Sequence, residues 1–407
     1  MLEGVNVALG VTGSIAAVKT VELAHELRRQ GAEVRGVMTG SARGIIHPWA
    51  VEFATENDVV TEITGSVEHV ELCGYDGWAD VLLIAPATAN TVGKIAGAVD
   101  DTPVTTTATT ALGSGTPVVV APAMHEPMYD HPGVLEAIDT VADWGVDFVD
   151  PRIEEGKAKI ASEEAIVCDV ARAAGERPLE GERVVVTSGA TGEAIDPVRV
   201  LTNRSSGKMG RAVASACYVR GADVTLVHGF VGPQSVTRDA ALPESDDEGN
   251  VPYAAVRSVE SASEMLEATR EACTDADALV SAAAIGDYTV ETSAEKIRSG
   301  QDLTLNLEPT PKLIDEIRDE HPDLPIVGFK TETSGDETAM IDQARKTLER
   351  AGLAFVVAND ASVMGTARTT ALLVHGDDAA RYEGTKTGLG GEIADSIAAI
   401  LGDAVGP

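Results

Sequence analysis

Short runs of apolar, often β-branched residues alternate along the chain with longer stretches whose apolar positions recur every three to four residues. In the first part, Val5–Leu9, Glu33–Met38, Asp80–Ala85 and Pro117–Ala121 read as strands. Between and after them, Ile15–Gln30, Ala89–Ala98, Gly133–Trp144 and Glu163–Ala174 read as amphipathic helices. The stretch Ala173–Gly181 breaks the pattern with Gly175, Pro178 and Gly181, and strand character starts afresh at Arg183. From there Arg183–Thr187, Asp223–Val227, Ala278–Ala283, Asp302–Leu307, Ile326–Lys330, Phe355–Asp360 and Thr369–Val374 read as strands. Ser205–Arg220, Ser261–Cys273, Glu337–Arg350 and Thr387–Leu401 read as helices. Strand–helix alternation of this kind predicts parallel sheets covered on both faces. The expectation is an α/β protein of two doubly wound domains, residues 1–174 and 183–407, joined by a linker at 175–182. Ligands then belong at the C-terminal ends of the strands.

The composition sharpens this picture at three points. Hydrophobic residues make up 44% of the 407, but aromatics only 3%, so the cores must be built from Val, Ala, Leu and Ile. The formal net charge is −34, which repels nucleic acid and anionic membrane. The acidic residues are scattered rather than gathered in a tail. Plain solubility accounts for that; we prefer a protein suited to a high-salt cytoplasm, where screening cancels self-repulsion. The cysteines, Cys73, Cys168, Cys217 and Cys273, form no C-x-x-C pair and read as free thiols. The start shows no signal peptide and no apolar run is long enough to span a bilayer, so a cytoplasmic location is expected.

Candidate chemistry gathers at the strand ends. The crossover from Arg183 to His228 carries a long loop with Gly189, Gly192, Asp196–Arg199 and Asn203–Gly210, which is not the G-x-G-x-x-G of a dinucleotide site. Ser205, Ser206 and Gly207 open a helix, where backbone N–H groups suit an anion, and Lys208 adds charge. Simple capping by either serine is the plainer alternative. Second strands that end at Thr39 and His228 lack the acidic residue a nicotinamide site uses on the ribose. Ser14, Thr39 and Ser41 form instead a hydroxyl-rich set that suits a monophosphate or a ribityl chain. In Ala282–Gly300, Asp287 can bind Mg²⁺ or a ribose and Lys296 can reach a phosphate. Phe329 can stack on a base or fill the core. Lys346 and Arg350, at i and i+4, share one helix face. His69 and His125 are lone histidines, a residue type more often satisfied in a surface or core than catalytic.

The stretch SGATGEAIDPVRVLTNRSSGKMG, Ser188–Gly210, resembles the signature of phosphopantothenate–cysteine ligases. GSIAA at Gly13–Ala17 and APATAN at Ala85–Asn90 are similar to FMN-binding cysteine decarboxylases. From about Val5 to Leu401 the chain resembles the family of bifunctional proteins that join the two. The resemblance implies a flavodoxin-like flavoprotein domain followed by a Rossmann-like ligase domain. FMN would lie near Gly13, Ser14, Thr39, Ser41, Thr88 and Thr106, the last within a turn at Thr105–Ala108. His69 stands where the family places its active-site histidine, and His125 replaces an asparagine that holds the substrate carboxylate. The family's flap cysteine has no counterpart in Pro151–Ala161, where Lys157 or Lys159 could supply a charge or proton. In the second domain the pattern AAVADY…EKI brings in Asp287 and Lys296. Thr310, Pro311, Lys312 and Leu313 match a nucleotide contact, with Phe329 beside them and Lys346 and Arg350 on the triphosphate. Asn203 would hydrogen-bond the carbonyl of an acyl-cytidylate.

The implied activity is ligation of cysteine to 4′-phosphopantothenate with CTP and Mg²⁺, the metal at Asp287. FMN-dependent decarboxylation to 4′-phosphopantetheine follows. In the second step FMN oxidises the thiol end of the cysteine moiety, carbon dioxide leaves, and the reduced flavin returns the electrons. The family also implies a homo-oligomer. Two alternatives remain at this point: a nicotinamide oxidoreductase with two Rossmann units, and a flavin-binding regulatory protein whose first domain is inactive.

Overall fold

A computed structural model describes residues 1–154, 157–229, 251–300, 302–332, 336–360 and 368–404. The chain divides into two compact units, Met1–Glu176 and Arg177–Pro407. Within the stretch read as a linker, Leu179 is buried and its N–H donates to the Arg220 carbonyl at 2.9 Å, so these residues pack on the second unit.

The first unit is a five-stranded sheet of β1 (Asn6–Val11), β2 (Glu33–Met38), β3 (Val81–Ala87), β4 (Val118–Pro122) and β5 (Asp147–Phe148). Its order is β2-β1-β3-β4-β5, every pair parallel. All seven residues of β3 and all five of β4 are buried, which is why they read as unbroken apolar runs: helices cover both faces. The order reverses between β1 and β3, where Thr12 ties the two strand ends. Its Oγ1 donates to the Pro86 carbonyl at 2.7 Å and accepts the Thr88 N–H at 3.2 Å.

Two expectations here need correction. Thr105–Ala108 is not a turn; it lies inside α5 (Pro103–Ser114), the helix after α1 (Thr20–Arg29), α2 (Pro48–Thr55), α3 (Glu68–Cys73) and α4 (Ala89–Ala96). Thr102 forms a capping box with Thr105, and Pro103 sits at the first helical position. The threonines are tolerated because Thr106, Thr107 and Thr110 turn their hydroxyls back to the carbonyls four residues earlier. Second, the stretch read as a flap is partly strand. Arg152–Glu154 and Lys157–Lys159 form an antiparallel sheet with Met124–His125, with His125 opposite Lys157. Residues 155 and 156 lie outside the described set, as does the side chain of Lys157. The unit closes with α6 (Pro132–Ala142) and α7 (Glu163–Ala174).

The second unit is an eight-stranded sheet. Its strands are β6 (Arg183–Gly189), β7 (Asp223–Gly229), β8 (Ala255–Val259), β9 (Ala278–Ser281), β10 (Ile326–Glu332), β11 (Phe355–Asp360), β12 (Arg368–His375) and β13 (Asp378–Thr385). The order is β8-β7-β6-β9-β10-β11-β12-β13; the first six are parallel, β12 runs antiparallel to β11, and β13 antiparallel to β12. The order again reverses beside the first strand, between β6 and β9. Helices α8 (Lys208–Val219), α9 (Ala262–Ala272), α10 (Leu313–Glu320), α11 (Glu337–Ala351) and α12 (Lys386–Ala404) cover it.

Three features differ from the sequence expectation. Asp302–Leu307 alternates but forms no strand; only Leu307–Pro309 pairs, with Tyr288–Val290. Leu303, Leu305 and Leu307 are 49%, 36% and 46% exposed, so the alternation has no core to face. Strand β13 has no apolar alternation and is found only by its full antiparallel register with β12. The loop after β6 contains a hairpin, Gly192–Asp196 with Arg199–Thr202. Most of the acidic, proline-bearing stretch Arg238–Tyr253 lies outside the described residues.

Candidate functional site

Each unit opens a cleft at its strand ends. In the first, Gly13 follows Thr12 into a tight turn against the loop after β2. A Cβ on Gly13 would lie 2.5 Å from Ser41 Oγ, so only glycine lets the two loops meet. Thr39 and Ser41 share a hydrogen bond at 3.1 Å, and Thr39 Oγ1 accepts the Ala42 N–H at 3.2 Å. This wall borders a cleft of about 840 Å³ that Gly13, Thr39, Ser41, Thr88 and Thr106 all line. Thr88 caps α4 through the Thr91 N–H, and its hydroxyl lies 3.0 Å from that of Thr91. Thr106 Oγ1 donates inward to the carbonyls of Asp100 and Thr102, both at 2.9 Å.

Ser14 does not line the cleft. Its hydroxyl donates to the Ala123 carbonyl at 3.0 Å and accepts the Ala16 N–H at 3.3 Å, which starts the short helix Ile15–Lys19. Sequence reasoning missed Arg43, Asn90 and Lys94 in the lining. Lys94 is held on Asp101 by contacts of 2.7 and 2.8 Å. The expected catalytic histidines stand outside it. His69 is half-buried on α3, and its Nδ1 meets no hydrogen-bond partner among the described residues. His125 is exposed, although Met128 three residues on does line the cleft. All four cysteines are buried, and burial pushes the Cys73, Cys217 and Cys273 thiols up to about 12. Cys168 is 1% exposed, inside α7.

The second cleft, about 130 Å³, lies where α8, β9, β10 and β11 converge. Gly207, at φ +69°, turns the chain into α8, and a Cβ there would come within 2.9 Å of Ser188 Oγ and the Gly189 nitrogen. Ser188 Oγ donates to the Gly207 carbonyl at 2.9 Å. Neither serine caps α8: its N-cap is Gly207 with no side-chain bond, and Ser205 Oγ accepts the Gly207 N–H at 3.3 Å. Capping therefore does not explain the two serines, and Ser205, Ser206 and Lys208 all line the cleft. Ala282–Ala284 and Phe329 form its opposite wall. Asn203 reaches that wall at its rim, donating from Nδ2 to the Ala284 carbonyl at 2.9 Å.

The other expected residues lie beyond this lining. Asp287 and Lys312 form an exposed ion pair. Thr310 closes the same corner: its N–H donates to the Asp287 carbonyl at 3.0 Å and its hydroxyl to the Gly286 carbonyl at 2.5 Å. Pro311 is exposed, and the Leu313 side chain is buried in the core cluster. Lys296 is exposed on a segment that the hairpin turn holds through Ile297. The Ile297 N–H donates to Asp196 Oδ2 at 3.1 Å, and Arg199 donates to the Ile297 carbonyl at 2.6 Å. The same Arg199 holds the buried Asp196 carboxyl well below the usual carboxylate range. Lys346 and Arg350 do not line the cleft. Arg350 is bound to Asp315 of α10 at 2.9 Å, and Lys346 is exposed. The cations that do line it are Arg204, Lys208 and Lys386. Among the described residues no group of three or more metal-binding side chains occurs, and no helix is long and apolar enough to cross a membrane.

Both units match known families. Residues 1–175 match the flavoprotein family and residues 179–401 the DNA/pantothenate metabolism flavoprotein C-terminal domain. A coenzyme A biosynthesis bifunctional protein of Thermococcus kodakarensis is 48% identical over 405 residues, 98% of this chain and 96% of that protein. The chain belongs to the coenzyme A biosynthesis bifunctional protein family. A family member from Methanocaldococcus jannaschii is 37% identical, covering 89% of this chain and 85% of its own. The solved C-terminal domain of another member is 29% identical, covers 56% of this chain and all of that one, and superimposes with a TM-score of 0.44. For this family member, the two matches fall on the two compact units, one cleft in each.

Proposed function

We propose that this chain carries out two consecutive steps of coenzyme A biosynthesis, with the second unit acting first. It joins cysteine to 4′-phosphopantothenate with CTP; the first unit then decarboxylates the product to 4′-phosphopantetheine. The observation that carries this reading is family membership over 98% of the chain, with a cleft at the strand ends of each unit.

The first cleft suits FMN. Its hydroxyl set and the Gly13 approach fit a monophosphate on a ribityl chain, and its volume leaves room for an aromatic ring. Thr39, Ser41, Thr88 and Thr106 would hold the phosphate and chain. The flavin, when bound, supplies the reversible oxidation that lets the carboxylate leave. His69 and His125 would serve the substrate from outside this lining. Both stand apart from the cleft, and Trp49, Phe53 and Ile15 are each about three-quarters exposed. A homo-oligomer that completes the site is the reading these features favour.

In the ligase step an unactivated carboxylate cannot accept an amine. The 4′-phosphopantothenate carboxylate attacks the α-phosphorus of CTP and expels pyrophosphate. The cysteine amine then attacks the acyl carbonyl and CMP leaves. Lys296 and a Mg²⁺ at Asp287 would offset charge on the α-phosphate; the metal would take the place of Lys312 on that carboxylate. Asn203 keeps a second N–H for the acyl carbonyl beyond the one on Ala284. A nicotinamide reaction is disfavoured, since Thr39 follows β2 and His228 stands next to last in β7, and neither is an acid.

The test is an assay with 4′-phosphopantothenate, cysteine, Mg²⁺ and CTP that scores 4′-phosphopantetheine, together with a visible spectrum for bound flavin. Asn203→Ala should accumulate the activated acyl intermediate, and Lys296→Ala should fail to form it. A colourless protein after flavin reconstitution, unable to release pyrophosphate, rejects the proposal.

A further inference from the structure

Lys386 belongs to no motif in the sequence, and the reaction above gives it no part. It opens α12, far along the chain from the Ser205–Lys208 turn, yet it lines the same cleft. We propose that Lys386 is a phosphoryl-binding residue of the second cleft, acting together with Lys208 on one anionic group of the bound substrates.

The lining argues it first. Arg204, Lys208 and Lys386 contribute three cations, and no Asp or Glu is among the described lining residues. The chain as a whole has 65 acidic and 31 basic residues, so the cleft inverts the balance of the full sequence. Thr331, Asn359 and Thr369 add uncharged polar groups to the same wall. This is the chemistry of a phosphate site rather than of a surface.

Helix packing then fixes where Lys386 stands. Helices α8 and α12 lie side by side with their starts at the same end. Gly390 permits the approach: a Cβ on it would sit 2.5 Å from the Ala212 carbonyl oxygen. Further along, Arg220 grips Asp395 through two contacts of 2.6 and 2.8 Å. With both points pinned, Lys386 cannot swing away by sliding its helix. Partial burial and the Lys208 charge both lower its pKa, so the ligand-free pair carries a repulsion that a bound dianion would offset.

This inference rests on the ligase reading, and two substrate groups share the required chemistry: the phosphomonoester of the acid and the polyphosphate of the nucleotide. Lys386→Gln and Lys386→Arg are made in the full chain and followed by pyrophosphate release. Should the monoester be the ligand, Lys386→Gln raises KM for 4′-phosphopantothenate at least ~10-fold and leaves KM for CTP unchanged. Should the polyphosphate be the ligand, the KM for CTP rises instead. In both cases Lys386→Arg stays within about threefold of the parent, because the charge persists. Both KM values unchanged in Lys386→Gln overturns the proposal, as does equal damage by Lys386→Arg.

A second measurement needs no turnover. Inorganic pyrophosphate or phosphate should raise the melting temperature of the parent protein and not that of Lys386→Gln; equal stabilisation of both overturns the proposal. Synthesis of 4′-phosphopantothenoylcysteine by the parent protein tests the ligase reading separately.

Discussion

Gly390→Ala puts a methyl group where backbone already stands. The added Cβ would lie 2.5 Å from the Ala212 oxygen, 2.8 Å from the Ala212 carbonyl carbon and 3.1 Å from the Val213 nitrogen. No flexible side chain is among these neighbours, so the helices themselves must part, by the better part of an ångström to reach an ordinary C···O contact of about 3.3 Å. Two effects compete. Replacing glycine inside a helix gains roughly 1 kcal/mol from backbone entropy. Forcing apart a packed interface costs roughly 1–3 kcal/mol. The clash should win, leaving a net loss of about 1 kcal/mol and a fall in melting temperature of roughly 2–4 °C for a unit of this size. Gly402→Ala, in the same helix with nothing within 4 Å of its Cβ, is the control and should gain stability. The assay exploits a feature of composition: Trp49, Trp78 and Trp144 all lie in the first unit. Far-UV circular dichroism should therefore show the Gly390→Ala shift, and tryptophan fluorescence reads the first unit separately. A Gly390→Ala protein as stable as Gly402→Ala would refute the claim that α8 and α12 touch backbone to backbone.

Gly13→Ala should weaken flavin binding roughly tenfold, read from fluorescence titration, because its Cβ collides with Ser41 Oγ; unchanged affinity would place the flavin elsewhere. The native cysteines should resist alkylation at pH 8, since burial keeps three of them protonated to about 12, and Cys168→Ser should still decarboxylate. His375, stacked on Phe355 at 4.6 Å, has its pKa lowered by burial, so folding favours the neutral ring. Stability should then fall as pH drops below the ordinary histidine value of about 6.5, and His375→Gln should flatten that part of the profile. Melting temperature should climb from low to molar KCl, given the net charge of −34; a flat or falling curve would reject the high-salt reading.

What the sequence disclosed followed its periodicity. Helix Glu163–Ala174 and strand Phe355–Asp360 have the expected ends, and Gly13, Thr39, Ser41 and Thr88 converge because strand ends in a parallel sheet must converge. What it hid depended on packing. The spacing of Lys346 and Arg350 shows that they share a helix face but not what the face meets, and Arg350 meets Asp315. Lys386 becomes visible only once two helices distant in sequence are seen to touch. Strand β13 has no apolar face to announce it, and Leu303 and Leu305 imitate a strand without a sheet beside them.

The union of α8 and α12 also sets an order of events during synthesis. The anion wall takes one part from residues 204–209 and its last part from Lys386 and Leu389. A nascent chain that has left the ribosome as far as β11 already has both halves of the first unit's sheet, yet its second cleft still lacks a side. The lining of the second cleft should therefore be the later of the two to be complete on each newly made chain, although its reaction is the earlier in the sequence.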